Sequence, residues 1–146
     1  MSRQQDLMGQ AIEHITAHAA DHEDRRKIYG GLYHKLPVLI RTCGLCQALA
    51  FVNSKTQADD DRGSAHQAVM SDVTQVLTRY CGVTLQQGDK GGILSAVRRL
   101  NSRQYALATR ILLQSLVFHK RFAESILGVE ATDYTAEENA AKEKEV

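Results

Sequence analysis

Tryptophan is absent from this 146-residue chain, proline occurs once, and aromatic residues make up only 5%. Strands draw on aromatic and β-branched residues and are bounded by turn dipeptides, so this scarcity argues for an all-helical domain. No run of about eighteen consecutive apolar residues occurs, and nothing reads as a membrane span. The opening MSRQQDLMGQ has no apolar stretch of the kind a secretory signal needs, so a cytoplasmic location is expected. Cysteine is sparse and odd in number (Cys43, Cys46 and Cys81), which excludes a disulfide framework and reads as reduced, buried thiols.

What is present suffices for a core. Hydrophobic residues reach 43%, and a chain of this length folds as one domain burying roughly two thirds of its unfolded surface. The net charge of +1 hides an asymmetry. Residues 1–24 carry −4, residues 25–128 carry +9 and residues 129–146 carry −4. A basic body between acidic ends suits a partner rich in phosphate, although basic helix faces also serve solubility alone.

Periodicity divides the chain into five to six helices. The first starts at Ser2, with Gln5 completing a capping box and Leu7, Met8, Ala11, Ile12, Ile15 and Ala19 on one face. The second runs from about Arg25 to Thr42 with Tyr29, Leu32, Tyr33, Leu36, Leu39 and Ile40 inward. Pro37 predicts a kink in it and Gly44 a second bend, after which helix resumes from Leu45 to Val52. QADDDRGS, residues 57–64, reads as an exposed loop, and Ser64 as the cap of a helix ending near Cys81 and Gly82. VTLQQGDKGG is a connection, Ile93–Leu100 a short helix, and Asn101 or Ser102 opens the last helix, which ends by Gly128. The expected architecture is a compact single-domain all-α bundle over residues 1–128, with the second helix kinked at Pro37/Gly44. An acidic, partly disordered tail is expected at 129–146.

No constellation reads as catalytic. His14, His18 and His22 recur at four-residue intervals, and such pairs can hold zinc from one helix face. The third rotates off the face by about 40° per step and no further ligands lie nearby, so they read as solvated surface histidines. Cys43-Gly-Leu-Cys46 has CxxC spacing but neither a second pair nor a preceding strand, and reads as packing. The glycine-rich Gly88–Gly92 segment lacks phosphate-loop spacing, and Asp59-Asp60-Asp61 lacks the alternation of a calcium loop. No metal and no cofactor is expected.

The basic residues are the remaining set. At 100° per residue, Arg103, Arg110 and Arg121 fall within about 20° of one another, with Gln114 beside them, along about 27 Å of the last helix. Such a stripe can track a phosphate backbone, or equally form a solvated face or bridge to a neighbouring protein. The candidate RNA-contacting residues are Arg25, Arg26, Lys27, Lys35, Arg41, Lys90, Arg98, Arg99, Arg103, Arg110, Lys120 and Arg121.

Two blocks carry a family resemblance. One comprises Tyr29, Leu36-Pro37, Ile40, Gly44-Leu45 and Leu49-Ala50-Phe51. The other is YALATRILLQSLVFHKRF, residues 105–122, with Ala123 after it and Ile93, Leu94 and Asn101-Ser102 before it. Together they resemble the small α-helical subunit family of type III-B CRISPR effector complexes, the Cmr ribonucleoproteins. Cys43 departs from the Asn common before Gly-Leu, and Phe118-His119 from a common Trp-Leu. The resemblance implies a non-catalytic subunit of an antiviral RNA-interference complex. It implies stacking in a minor filament beside the RAMP backbone and large subunits, and lining the groove of the guide–target RNA duplex. Contacts to guide and target RNA would be to phosphate, since base pairing supplies specificity. The alternatives are a protein–protein adaptor without RNA contact, and a metal- or thiol-dependent helical protein using His14, His18, Cys43 and Cys46.

Overall fold

The computed structural model describes residues 1–88 and 90–131. Among them six α-helices occur and no strand: α1 (Arg3–Thr16), α2 (Glu23–Cys43), α3 (Leu45–Ser54), α4 (Asp61–Tyr80), α5 (Ile93–Arg98) and α6 (Ser102–Ser125). The first and last helices both start at reciprocal caps. Ser2 Oγ accepts from the Gln5 amide at 3.2 Å while Gln5 Oε1 accepts from the Ser2 amide at 2.8 Å. Asn101 and Gln104 repeat the arrangement at α6, at 2.8 and 3.0 Å. Each satisfies amide donors that a helix start otherwise leaves without partners.

Of the two bends expected at Pro37 and Gly44, the second ends the helix. α2 runs without interruption through Pro37, which is buried and which supplies no amide to the carbonyl four residues back. The break comes at Gly44, whose φ of +87° and ψ of 164° end α2 and precede α3. That backbone region is closed to residues with a Cβ. α4 begins earlier than Ser64. Asp60 is its cap, Oδ1 accepting from the Gly63 amide at 3.0 Å, so 61–64 are helical and not loop. The same short side chains that read as loop composition are the ones that cap helices.

α2 is the central element, packed between α4 and α6, with α1 lying along α6 and α3 against α2, α4 and α5. Tyr29, Leu32, Tyr33, Leu36, Leu45, Leu49, Leu77, Ile111, Leu112 and Leu116 form the fully enclosed interior. On α1 only Leu7, Ala11 and Ile15 of the expected face are buried. Met8 and Ile12 are exposed, and Ala19 lies beyond the helix. Of the expected tail, residues 129–131 are described. Val129 is buried and its carbonyl accepts from His34 Nε2 at 2.8 Å, while residues 132–146 lie outside the described residues. No helix of the described residues is long and apolar enough to cross a membrane.

Candidate nucleic-acid interface

The twelve basic candidates separate by what already holds them. At the start of α2, Arg25 Nε is 3.6 Å from Asp61, Arg26 donates to the Asp21 carbonyl at 3.3 Å, and Lys27 pairs with Glu23 at 3.0 Å. Asp61 also takes His22 Nε2 at 2.7 Å, so this cluster ties α2 to α4 and is partly neutralised. Lys35 sits over the Phe51 ring at 4.8 Å from its centroid, and Lys55, absent from the expected set, approaches it at 6.0 Å. Lys55 has no stripe partner in the sequence; only the α2–α3 packing brings it beside Lys35.

α6 presents the expected stripe. Arg103, Arg110, Gln114 and Arg121 are all exposed, as is Lys120. Across from them, α2 contributes Arg41. Arg41 and Arg110 both line an open groove of ≈ 410 Å³ with Ala106, Thr109, Leu113, Gln114 and Val117. The fold therefore merges one α2 candidate with the α6 stripe. Arg98 and Arg99 are exposed at the end of α5. Lys90 lies apart, in a second groove of ≈ 570 Å³ lined by Asn53, Gln57, Met70 and Gln75.

A buried polar cluster went unseen in the sequence. Tyr29 and Tyr33 both donate to Asp72 Oδ2, at 2.5 and 2.6 Å. Burial first, then the Asp72 charge, holds the Tyr29 hydroxyl far above the ordinary phenol range. Burial, then Tyr29 and Asp72, does the same for Tyr33. His14 is not the solvated histidine expected; it is buried, with Nδ1 2.9 Å from His119 Nε2 and 3.8 Å from Asp72 Oδ1. His119 Nδ1 faces the Ser115 carbonyl at 2.9 Å. A carbonyl can only accept, so Nδ1 carries the proton and Nε2 accepts from His14 Nδ1–H. Burial, chiefly, lowers the His119 pKa to about 4 despite its bond to Ser115, with His14 adding to the depression. His119 is also one of the positions where the chain departs from the resembled pattern, and the departure supplies this contact. The remaining two histidines of the α1 series behave differently: His18 pairs with Asp21 at 2.8 Å and His22 is mostly exposed.

The cysteine expectation is corrected. Cys43 and Cys46 are exposed and only Cys81 is buried, its thiol pushed up to about 12 by desolvation. The break at Gly44 resets the helical phase, so that Leu45, Ala48, Leu49 and Val52 take the inner face of α3 and Cys46 the outer. The Cys46 amide donates to Tyr105 Oη at 3.0 Å, pinning the corner to α6. Among the described residues, no group of three or more His, Cys, Asp or Glu side chains is placed to hold a metal ion.

The comparisons with known proteins agree on one family. A family model described as CRISPR-associated protein (Cas_Cmr5) matches residues 3–126. The CRISPR system Cmr subunit Cmr5 of Thermus thermophilus is 35% identical over 99 residues, 68% of this chain and 75% of that protein. The X-ray crystal structure of a CRISPR-associated Cmr5 family protein, also from Thermus thermophilus, superposes with a TM-score of 0.66 at 35% identity. It covers 89% of this chain and 100% of that one. The cap-to-cap helical bundle described above is thus a known framework, and the chain belongs to the CRISPR-associated Cmr5 family.

Proposed function

We propose that the chain is the small helical subunit of a type III-B Cmr ribonucleoprotein in the cytoplasm, a non-catalytic building block of antiviral RNA interference. Family membership supports its place among the other Cmr subunits. In the proposed role it stacks with further copies in a minor filament and holds guide–target RNA against the RAMP backbone. The observation that carries the RNA contact is the arginine face: Arg103, Arg110 and Arg121 exposed along α6, joined by Arg41 across the groove. Guanidiniums spaced along a rigid helix suit phosphates, and contacts of this kind carry no sequence information.

The test is charge reversal of Arg103, Arg110 and Arg121 together in the assembled complex. Target-RNA capture at physiological salt falls at least about tenfold, while the helical circular-dichroism signal and melting point stay as in the wild type. Unchanged capture removes the stripe from the site. A second reading, a protein adaptor whose basic face meets acidic neighbours, is favoured by Leu107 and Val117, which are exposed among the arginines of α6. In that case the triple variant loses a Cmr neighbour on co-purification and the purified chain shows no salt-dependent RNA binding.

A further inference from the structure

The exposure of Cys43 and Cys46 leaves chemistry at the α2–α3 corner that the proposed function does not use. CxxC spacing reads as packing in the sequence, whereas the fold leaves both cysteines exposed, one on each side of Gly44. Cys43 is the last residue of α2, and Cys46 is the second residue of α3. Two residues separate them, so rotation at Gly44 decides how near their sulfurs come. The space beside Gly44 is open apart from Tyr105 Oη, which lies 3.5 Å from where a Cβ would stand. The Cys46 amide donates to that same hydroxyl, and this bond holds the corner in its present setting.

The surroundings carry positive charge. Residues 28–58 contain no Asp or Glu and include Lys35, Arg41 and Lys55. Residues 91–123, which supply Tyr105, contain no Asp or Glu either, and include Arg103 and Arg110. Exposure in electropositive surroundings is what separates reactive thiols from inert ones. Cys81 is of the inert kind, buried and with its thiol pushed up to about 12 by desolvation. Cys43 also stands where the chain departs from the resembled pattern, so the pair is a property of this chain and not of that pattern.

We propose that Cys43 and Cys46 form a redox-active dithiol that exchanges with small disulfides of the glutathione class. One protein thiolate attacks a sulfur of the small disulfide, which forms a mixed disulfide and releases one small thiol. The second protein thiol loses its proton, attacks the protein sulfur of that bond and expels the other small thiol. The protein gains a Cys43–Cys46 bond. Its two electrons and two protons leave with the small disulfide, which departs as two thiols. The second step is intramolecular and so outruns attachment of another small thiol. A disulfide needs its two Cα atoms within about 7 Å, and rotation at Gly44, free of a Cβ, supplies the adjustment. An excess of a small dithiol reverses the sequence.

The experiment incubates the full chain with oxidised glutathione and reads intact mass, peptide mass and free thiols. The expected wild-type product is lighter by two hydrogens, carries no glutathione and keeps one free thiol of three, Cys81. Peptide mapping joins Cys43 to Cys46, and dithiothreitol restores both thiols. Cys43→Ser and Cys46→Ser, each left with one exposed thiol, instead accumulate a single glutathione. Three wild-type outcomes overturn the proposal: stable glutathione adducts without the intrachain bond, disulfide-linked dimers, or no reaction. The wild-type measurement decides by itself if either serine variant fails to fold, which circular dichroism monitors.

Discussion

His119 is held neutral in a fully enclosed site, and that fixes the sign of its contribution to stability. Its pKa is lowered from 6.5 to about 4, so between these values the unfolded chain binds the proton and the folded chain does not. Its share of stability is complete above about pH 6.5 and is lost as pH falls toward 4, an effect of about 3 kcal/mol across the window. Urea unfolding of the wild type at about pH 7.5 and pH 5 should differ by about 2 kcal/mol more than for His119→Gln. Equal pH dependence in the two proteins would show that the histidine carries no such share. The partner, His14, was readable in principle. It stands seven residues after Leu7, within about 20° on the helix, and so shares the phase of the buried face. Four-residue spacing to His18 and His22 masked that phase, because spacing within one residue type reveals a possible ligand set but not which side of the helix faces inward. Asp72 was illegible for a different reason: its two tyrosine donors are 43 and 39 residues away, and no local pattern announces such a meeting.

At the scale of elements, the approach of α2 to the segment after α6 is closer than any side chain permits. A Cβ at Gly30 would fall 2.8 Å from Val129 Cβ and 2.9 Å from its Cγ2. Gly30→Ala is therefore expected to cost about 1–3 kcal/mol, despite the better helix propensity of alanine. Val129→Gly removes all of the contacting side-chain atoms, the Cβ included, and a double-mutant cycle followed by thermal melting should show coupling of at least about 1 kcal/mol. Additive single effects would mean the segment shifts aside without loss. Helix existence was legible throughout, since apolar periodicity and the Ser2/Gln5 cap are local properties that the fold left intact. Boundaries were not. Asp60 looked like loop composition beside two further aspartates, whereas Pro37 read as a kink inside the second helix, which does continue through it, and Gly44 as a bend, which is where α2 ends. Proline constrains the turn before it; glycine alone opens the backbone region that separates α2 from α3.

For the whole molecule, the sum of charges matters less than its distribution. A net charge of +1 predicts little affinity for a polyanion, whereas an arginine face predicts binding that weakens steeply with salt. Single-stranded binding loses roughly 0.7 of a logarithmic unit in slope per phosphate contact. Reversing Arg103, Arg110 and Arg121 should therefore flatten the salt dependence of RNA affinity by about 2. A parallel shift without change in slope would place those residues outside the contact. The stripe itself was legible because helical phase is exact over three arginines on one helix. That Arg41 lines a groove with Arg110, while Lys90 lines another and Arg25 pairs with Asp61, depended on how helices distant in sequence pack.

The shared carboxylate of Asp72 has a kinetic consequence. Through Tyr29, Tyr33, His14 and His119 it engages four helices at once, so none of them leaves without abandoning polar groups that only the others satisfy. A terminal helix such as α1 ordinarily frays ahead of the rest. Here the amides around His14 should exchange with solvent deuterium at the rate of global unfolding, making the first helix a reporter of whether the whole bundle opens as one cooperative unit.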